Sequence, residues 1–258
     1  MLEEIKNKKA FICDMHGVIY HGNILLEGVL EFIEWLQKEN KKYLFLTNSS
    51  ERSPRELQQK LARLGLNVDE SHFYTSAIAT AKFLASQQPG CTVYAIGEAG
   101  LINALYQHGI TMNDVNPDYV VVGETRTYSY EKLEKAVQLV FHGAKLIGTN
   151  PDLTGPSEQG IVPATKALLS PIELTTRRDA YYVGKPNPLM MRHAVKLLGE
   201  SVESTAIVGD RMDTDIVAGM ESEIDTILVL SGVTTLDGMK KFAYQPKYVF
   251  KNVGEIVK

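Results

Sequence analysis

Four short stretches of the chain place chemically useful side chains directly after apolar runs. Asp14-Met15-His16 follows Ala10-Phe11-Ile12-Cys13, and Thr47-Asn48 follows Tyr43-Leu44-Phe45-Leu46. Gly184-Lys185-Pro186 follows Ala180-Tyr181-Tyr182-Val183, and Gly209-Asp210-Arg211-Met212-Asp213-Thr214-Asp215 follows Ala206-Ile207-Val208. Short apolar runs bounded by glycine and polar residues read as buried strands. In an open parallel sheet, ligands bind outside the carboxyl ends of the strands. If these four strands run parallel, their ends gather carboxylates, a hydroxyl and one lysine at one sheet edge. That set suits a hard divalent cation such as Mg²⁺, which favours carboxylate and water oxygens and bridges to phosphate. The lysine and nearby backbone N–H groups would offset phosphoryl charge, and the metal would bring an anionic substrate up to an anionic nucleophile.

The intervening sequence supplies the elements that must hold these ends in place. Leu30, Phe32, Ile33, Trp35 and Leu36 give a helical pattern between the first two strands. Ser53-Pro54-Arg55-Glu56 combines a capping box with proline at the first helical position, and Leu57, Leu61 and Leu64 then share one face. His72 to Thr75 reads as a further short strand, with Ser76 as cap of a helix from Ala77 to about Gln87. Strands follow at Cys91 to Ile96, Tyr119 to Val122 and Lys145 to Gly148, with helices at Leu101 to His108, Tyr130 to Phe141 and about Thr165 to Thr176. Leu153 to Gly160, rich in Gly, Pro and Ser, reads as a loop. Asn187-Pro188 opens a helix carrying Met191, Val195 and Leu198 and stopped by Gly199; a short helix is expected around Asp213 to Met220. Alternation of strand and helix argues for an α/β fold. The expected architecture is a Rossmann-like parallel-sheet core formed by residues 1–79 and 179–258, with an α/β cap domain inserted at 80–178.

With 44% hydrophobic and 22% charged residues, the composition is that of a globular chain able to bury a sizeable core. A net charge of −4 gives no reason to expect nucleic acid or an anionic membrane as a partner. Cys13 and Cys91, the only two cysteines, both sit in apolar runs and read as buried thiols of a reducing compartment. No export core and no apolar run near the roughly 20 residues that span a bilayer are present, so the expected location is cytoplasmic.

The ordered set of motifs resembles the haloacid dehalogenase (HAD) superfamily phosphatases, of the NagD and 4-nitrophenylphosphatase-like branch with a large α/β cap. The resemblance rests on Asp14-Met15-His16-Gly17-Val18, Leu46-Thr47-Asn48, Val183-Gly184-Lys185-Pro186 and Val208-Gly209-Asp210 with Asp213 and Asp215. Phe73 to Ser76, Val122-Gly123-Glu124-Thr125, Thr149-Asn150-Pro151-Asp152 and Leu230-Ser231-Gly232-Val233 extend it over nearly the whole chain. It implies a Mg²⁺-dependent hydrolysis of small phosphomonoesters such as sugar phosphates or nucleoside monophosphates. Asp14 would be the nucleophile, passing through an aspartyl-phosphate. Thr47 would bind the phosphoryl group, Lys185 would neutralise charge, and the metal would be held by Asp14, Asp210 and the carbonyl of His16, with Asp215 orienting the metal's waters or supplying a further ligand. Asn48, Asn150 and Asp152 would join Thr47 and Lys185 in binding substrate, with the cap closing over the site. The implied partner is a small phosphorylated metabolite, with oligomeric state open and a homodimer among the options.

One position departs from the pattern. The family usually carries aspartate two residues after the nucleophile, where it protonates the leaving alcohol and then activates water; this chain has His16. Loss of such a group costs about 10²–10⁴ in rate. Two readings therefore stand side by side: a phosphatase using His16, and a phosphate- and metal-binding protein with weak or no turnover. Asp213 could equally cap the helix that follows Asp210.

Overall fold

The computed structural model describes residues 2–157 and 160–258. The chain divides into two compact units, one comprising residues 1–47, 58–74 and 185–258 and the other residues 48–57 and 75–184. The one long excursion therefore runs from 75 to 184, within six residues of the boundaries drawn at 80 and 178, and the segment 48–57 also joins the second unit.

The first unit is organised on a six-stranded sheet in the order Tyr248–Phe250, Asp225–Val229, Thr205–Gly209, Ala10–Cys13, Lys42–Thr47, Phe73–Thr75. Ala10–Cys13 lies at the centre, parallel to Lys42–Thr47 on one side and to Thr205–Gly209 on the other. All four of its side chains are buried, which explains why it reads as an unbroken apolar run instead of an alternating one. Chain order reverses on the two sides of this strand. Its carboxyl end is therefore a topological switch point, the place where open α/β sheets bind ligands.

The helix Val29–Lys38 buries Val29, Phe32, Ile33 and Leu36, a one-sided stripe at i, i+3, i+4 and i+7. Phe32 and Trp35 meet Phe11 edge-on at 5.9 Å and 5.5 Å, so this helix is seated directly on the central strand. The helix Pro188–Leu198 starts as its sequence predicts: Asn187 accepts a hydrogen bond from Leu189 N at 2.9 Å, and Gly199 ends it at φ 67°.

The second unit has its own sheet, in the order Tyr181–Tyr182, Lys145–Gly148, Tyr119–Val122, Thr92–Ile96, Thr111–Met112, with parallel pairing throughout. Val120, Val122, Ala136, Val140, Leu146, Leu169 and Ile172 form its core, joining the sheet to the helices Tyr130–Phe141 and Thr165–Thr176. The expected capping box is present, with Ser53 N and Oγ both donating to Glu56 Oε2 at 2.7 Å.

Three local readings are corrected. The helix Ser76–Gln87 is capped by Thr75, whose Oγ1 accepts from Ile78 N at 3.3 Å, while Ser76 Oγ donates to the Asn48 carbonyl. The expected loop at Leu153 to Gly160 contains strand Thr154–Ser157, antiparallel to Gly160–Pro163; residues 158 and 159 of that reading lie outside the described residues. Its side chains are half-buried or exposed, so no apolar run marks it. The short helix expected from Asp213 begins instead as a π-helical turn, Met212–Ile216, before the α-helical turn Val217–Glu221. The widened turn lets Asp215 and Ile216 both donate to the Arg211 carbonyl, and such turns concentrate at functional sites. Among the described residues, no helix is long and apolar enough to cross a membrane.

Candidate active site

Asp14 leaves the end of the central strand with its N–H still on the sheet ladder, donating to the Val208 carbonyl at 2.8 Å. Its carboxylate is therefore fixed by the strand itself. Lys185, only 2% exposed, reaches the same point: Nζ donates to Asp14 Oδ1 at 2.6 Å, Asp215 Oδ1 at 2.7 Å and the Leu46 carbonyl at 3.2 Å. An ammonium has three donors, and this one has all three engaged. The Leu46 contact ties the lysine to the strand that ends in Thr47.

Asp215 is held on both oxygens. Oδ1 faces Lys185, and Oδ2 accepts from the backbone N–H of Asp210 at 3.2 Å and of Arg211 at 3.1 Å. Asp210 is different. Its Oδ2 accepts from Val233 N at 2.7 Å, but Oδ1 is buried without a hydrogen-bond partner. A Cβ on either Gly17 or Gly232 would overlap Asp210 Oδ2, and Gly17 also sits at φ 85°, so both close approaches require glycine. Ser231 Oγ completes the support by donating to the Gly17 carbonyl at 2.7 Å. The segment 231–233 thus braces the site, a role its sequence signals only through its glycine.

Asp14, Asp210 and Asp215 each offer an oxygen within 4.8 Å of the others. Fully ionised, three carboxylates and one lysine leave a residual charge of −2 in a largely buried site. The protons respond accordingly. Burial, with the neighbouring carboxylates, raises Asp14 to about 6 against the pull of Lys185, and raises Asp210 to about 8. Burial pulls Lys185 down, but Asp14 and Asp215 outweigh it and hold its pKa above the ordinary lysine value. A residual charge of −2, oxygen ligands only and a bare buried Asp210 Oδ1 fit a hard divalent cation such as Mg²⁺.

His16 lies apart from the carboxylates in its contacts. Its ring is edge-on to Tyr20 at 5.8 Å and tilted against His21 at 4.8 Å, and burial, reinforced by His21 and Lys60, lowers its pKa to about 4. Asp213 does not cap the following turn; it forms a two-pronged pair with Arg211 at 3.0 Å and 2.8 Å. The remaining candidates belong to the second unit and bond to one another. Asn48 Nδ2 donates to Asp152 Oδ2 at 3.0 Å, Asp152 N donates to Asn150 Oδ1 at 3.0 Å, and Asn150 Nδ2 donates to the Asn48 carbonyl at 2.8 Å. Glu124, absent from the sequence-based candidates, is bonded into this same group.

A parallel α/β sheet with an aspartate at its switch point, a buried lysine on that aspartate and two further carboxylates, one directly after strand Thr205–Gly209 and one on the π-turn that follows, defines a HAD-type hydrolase. The family models agree: residues 11–111 match the haloacid dehalogenase-like hydrolase model, and residues 182–256 match a second HAD hydrolase-like model. The chain belongs to the haloacid dehalogenase-like hydrolase family and is an enzyme of that family. It is 42% identical to the ribonucleotide monophosphatase NagD of Escherichia coli K12 over 96% of this chain and 98% of that one. It is 40% identical to a dihydroxyacetone phosphatase of Corynebacterium glutamicum, over 96% of this chain and 90% of that one. Among solved structures, 4-nitrophenylphosphatase from Thermotoga maritima superposes with a TM-score of 0.94 at 35% identity, covering 98% of this chain and 97% of that one.

Proposed function

We propose that this protein is a Mg²⁺-dependent phosphatase of small phosphomonoesters, working through an aspartyl-phosphate on Asp14. The observation that carries the reading is the pairing of Asp14 with buried Lys185 beside an unpartnered Asp210 oxygen. Relatives named for ribonucleotide and dihydroxyacetone phosphate hydrolysis support the substrate class.

In this mechanism an Asp14 oxygen attacks phosphorus, the bond to the leaving oxygen breaks, and the released alkoxide takes a proton. Water then attacks the phosphorus of the aspartyl-phosphate, giving inorganic phosphate and the free Asp14 carboxylate. Lys185 balances the charge of Asp14 and of the incoming phosphoryl group, a preorganised electrostatic role. Thr47 donates its hydroxyl to a phosphoryl oxygen. Asp215, with Lys185 and two backbone N–H groups on its oxygens, orients the lysine. When bound, Mg²⁺ would be held by Asp14, Asp210 and the His16 carbonyl and would supply Lewis-acid stabilisation of phosphoryl charge.

The proton work distinguishes the two readings of His16. Its ring packs on Tyr20 and His21, an arrangement that favours weak protonation of the leaving oxygen. Esters with good leaving groups, which need no acid, are then turned over faster than alkyl phosphates. The test is steady-state hydrolysis of 4-nitrophenyl phosphate and a panel of sugar and nucleoside monophosphates, with and without Mg²⁺. Asp14→Asn is expected to abolish phosphate release, and His16→Asp to raise kcat on alkyl phosphates by about 10²-fold or more. An Asp14→Asn enzyme as fast as wild type would refute the mechanism. Saturable phosphate binding with no turnover of any ester would instead establish the binding-protein reading.

A further inference from the structure

The second unit contains a buried polar cluster that the chemistry above does not use. Glu124, which follows strand Tyr119–Val122 after one glycine, accepts three hydrogen bonds on its carboxylate. Oε2 takes Ser50 N at 2.8 Å and Ser50 Oγ at 2.5 Å, and Oε1 takes Asn150 Nδ2 at 2.9 Å. Asn150 Nδ2 also reaches the Asn48 carbonyl at 2.8 Å, and Ser76 Oγ donates to that same carbonyl at 2.5 Å. Ser50 Oγ in turn accepts from Glu124 N and Thr149 Oγ1, each at 3.2 Å. Ser50, Ser76, Thr149 and Asn150 are all fully buried.

Apart from the Asn150–Glu124 bond, which ties two of the cluster's own side chains together, these bonds converge on residues 48 and 50, which follow closely on Thr47 in the chain. Asn48 is joined by its peptide bond to Thr47, the hydroxyl assigned to the phosphoryl group. The Lys42–Thr47 strand fixes that threonine from one side only. Beyond it the backbone has no ladder, and the cluster replaces the ladder with side-chain bonds to the Asn48 carbonyl and the Ser50 N–H. A buried network with its members satisfied is rigid, because breaking any bond leaves a polar group stranded away from water.

We propose that Glu124 is a positioning residue for Thr47, acting through Ser50, Asn150 and the Asn48 carbonyl to hold the turn that follows the phosphate-binding hydroxyl. The proposal rests on the phosphatase reading. It gives Asn150 a duty different from substrate contact: its carbonyl oxygen accepts from Asp152 N at 3.0 Å and its amide nitrogen serves Asn48 and Glu124. It also explains why a carboxylate is used here. Ser50 N and Asn150 Nδ2 are both donors facing opposite oxygens of one group, so a glutamine at 124 must turn its own NH₂ towards one of them.

The test is a double-mutant cycle on the full chain. Wild type, Glu124→Gln, Thr47→Val and the double variant are assayed for 4-nitrophenyl phosphate hydrolysis with Mg²⁺. Binding of inorganic phosphate to the same four proteins is measured by calorimetry. Displacing a reacting group by about 1 Å can cost about 10²-fold, and a partly retained network should cost about tenfold, so Glu124→Gln is expected to lower kcat/KM and phosphate affinity by about that factor. The double variant is expected to match Thr47→Val within about threefold in both readouts, because a residue acting through Thr47 has nothing left to position. A further tenfold loss on top of Thr47→Val, or Glu124→Gln indistinguishable from wild type, overturns the proposal. Wild type that turns over no ester overturns the phosphatase reading instead, and the phosphate-binding cycle still decides the positioning role. Should Glu124→Gln not fold, Ser50→Ala, which keeps the Ser50 N–H bond and removes only the hydroxyl, takes its place in the cycle with the same expected outcomes.

Discussion

Replacing Lys185 with methionine keeps most of the buried aliphatic stem and removes the charge together with its three N–H donors. In the wild type that charge lies 2.6 Å from Asp14 and 2.7 Å from Asp215, both largely removed from water. At an effective dielectric constant of about 20, each such pair attracts by about 6 kcal/mol before the cost of desolvation is counted. Most of that gain offsets the burial of the three ions, so the pair is not worth its Coulomb energy. Removing one partner is another matter, because it strands the other two, and the typical cost is about 3–5 kcal/mol. At about 2–4 °C per kcal/mol for a protein of this size, Lys185→Met should lower Tm by about 6–20 °C. The assay can be confined to the relevant unit. The single tryptophan, Trp35, packs against Phe11 of the central strand, so its fluorescence reports melting of the unit that contains the site. Mg²⁺ should recover part of the loss, since a divalent cation supplies positive charge to the same carboxylates, while turnover stays down by about 10²–10³. A variant melting within about 2 °C of wild type without metal would show that Lys185 does not balance the carboxylates, and the charge argument for the site would fail.

Mg²⁺ should stabilise the wild type by an amount that grows with the logarithm of its concentration above Kd, about 2.7 kcal/mol at one hundred times Kd, and so raise its melting temperature; Asp210→Asn should abolish the shift, and a shift retained in full would remove Asp210 from the metal site. The buried Glu124 carboxyl is held above its ordinary value of 4.5, mainly by burial, against the pull of Ser50 and Asn150. A carboxyl raised in the folded state favours folding when protonated, so its contribution is present below about pH 4.5 and lost as pH rises through its folded value. Calorimetry from pH 4 to pH 8 should therefore show wild type losing stability relative to Glu124→Gln as pH rises; a constant difference would mean that Glu124 does not titrate abnormally.

The site was legible where chemistry follows directly from chain connectivity. An apolar strand that stops at Asp14, and others that stop at Thr47 and Asp210, must deliver those residues to one edge if the strands are parallel. The residue types then restrict what can be done there. Lys185 was not legible for that reason: the strand before it, Tyr181–Tyr182, is exposed to half-buried and pairs with Lys145–Gly148 in the second unit's sheet, so only its residue type and its place before Pro186 marked it. The supports were harder to read. Ser231 lies 214 residues from the Gly17 carbonyl it contacts, and Ser50 lies 74 residues from Glu124. Bonds of that range leave no periodicity in the sequence. Local chemistry also misled where two neighbours could serve the same purpose, as when Thr75 took the cap position assigned to Ser76.

By itself the sequence determined the alternating α/β pattern, the strand ends that carry functional groups and the histidine at position 16, because each depends on residue type and near neighbours. Only the tertiary structure decided which carboxylate oxygen is left bare, which way the His16 ring packs and what holds the turn after Thr47. Those outcomes depend on charge balance and burial among groups brought together by the fold, and neither quantity exists until the sheet has formed.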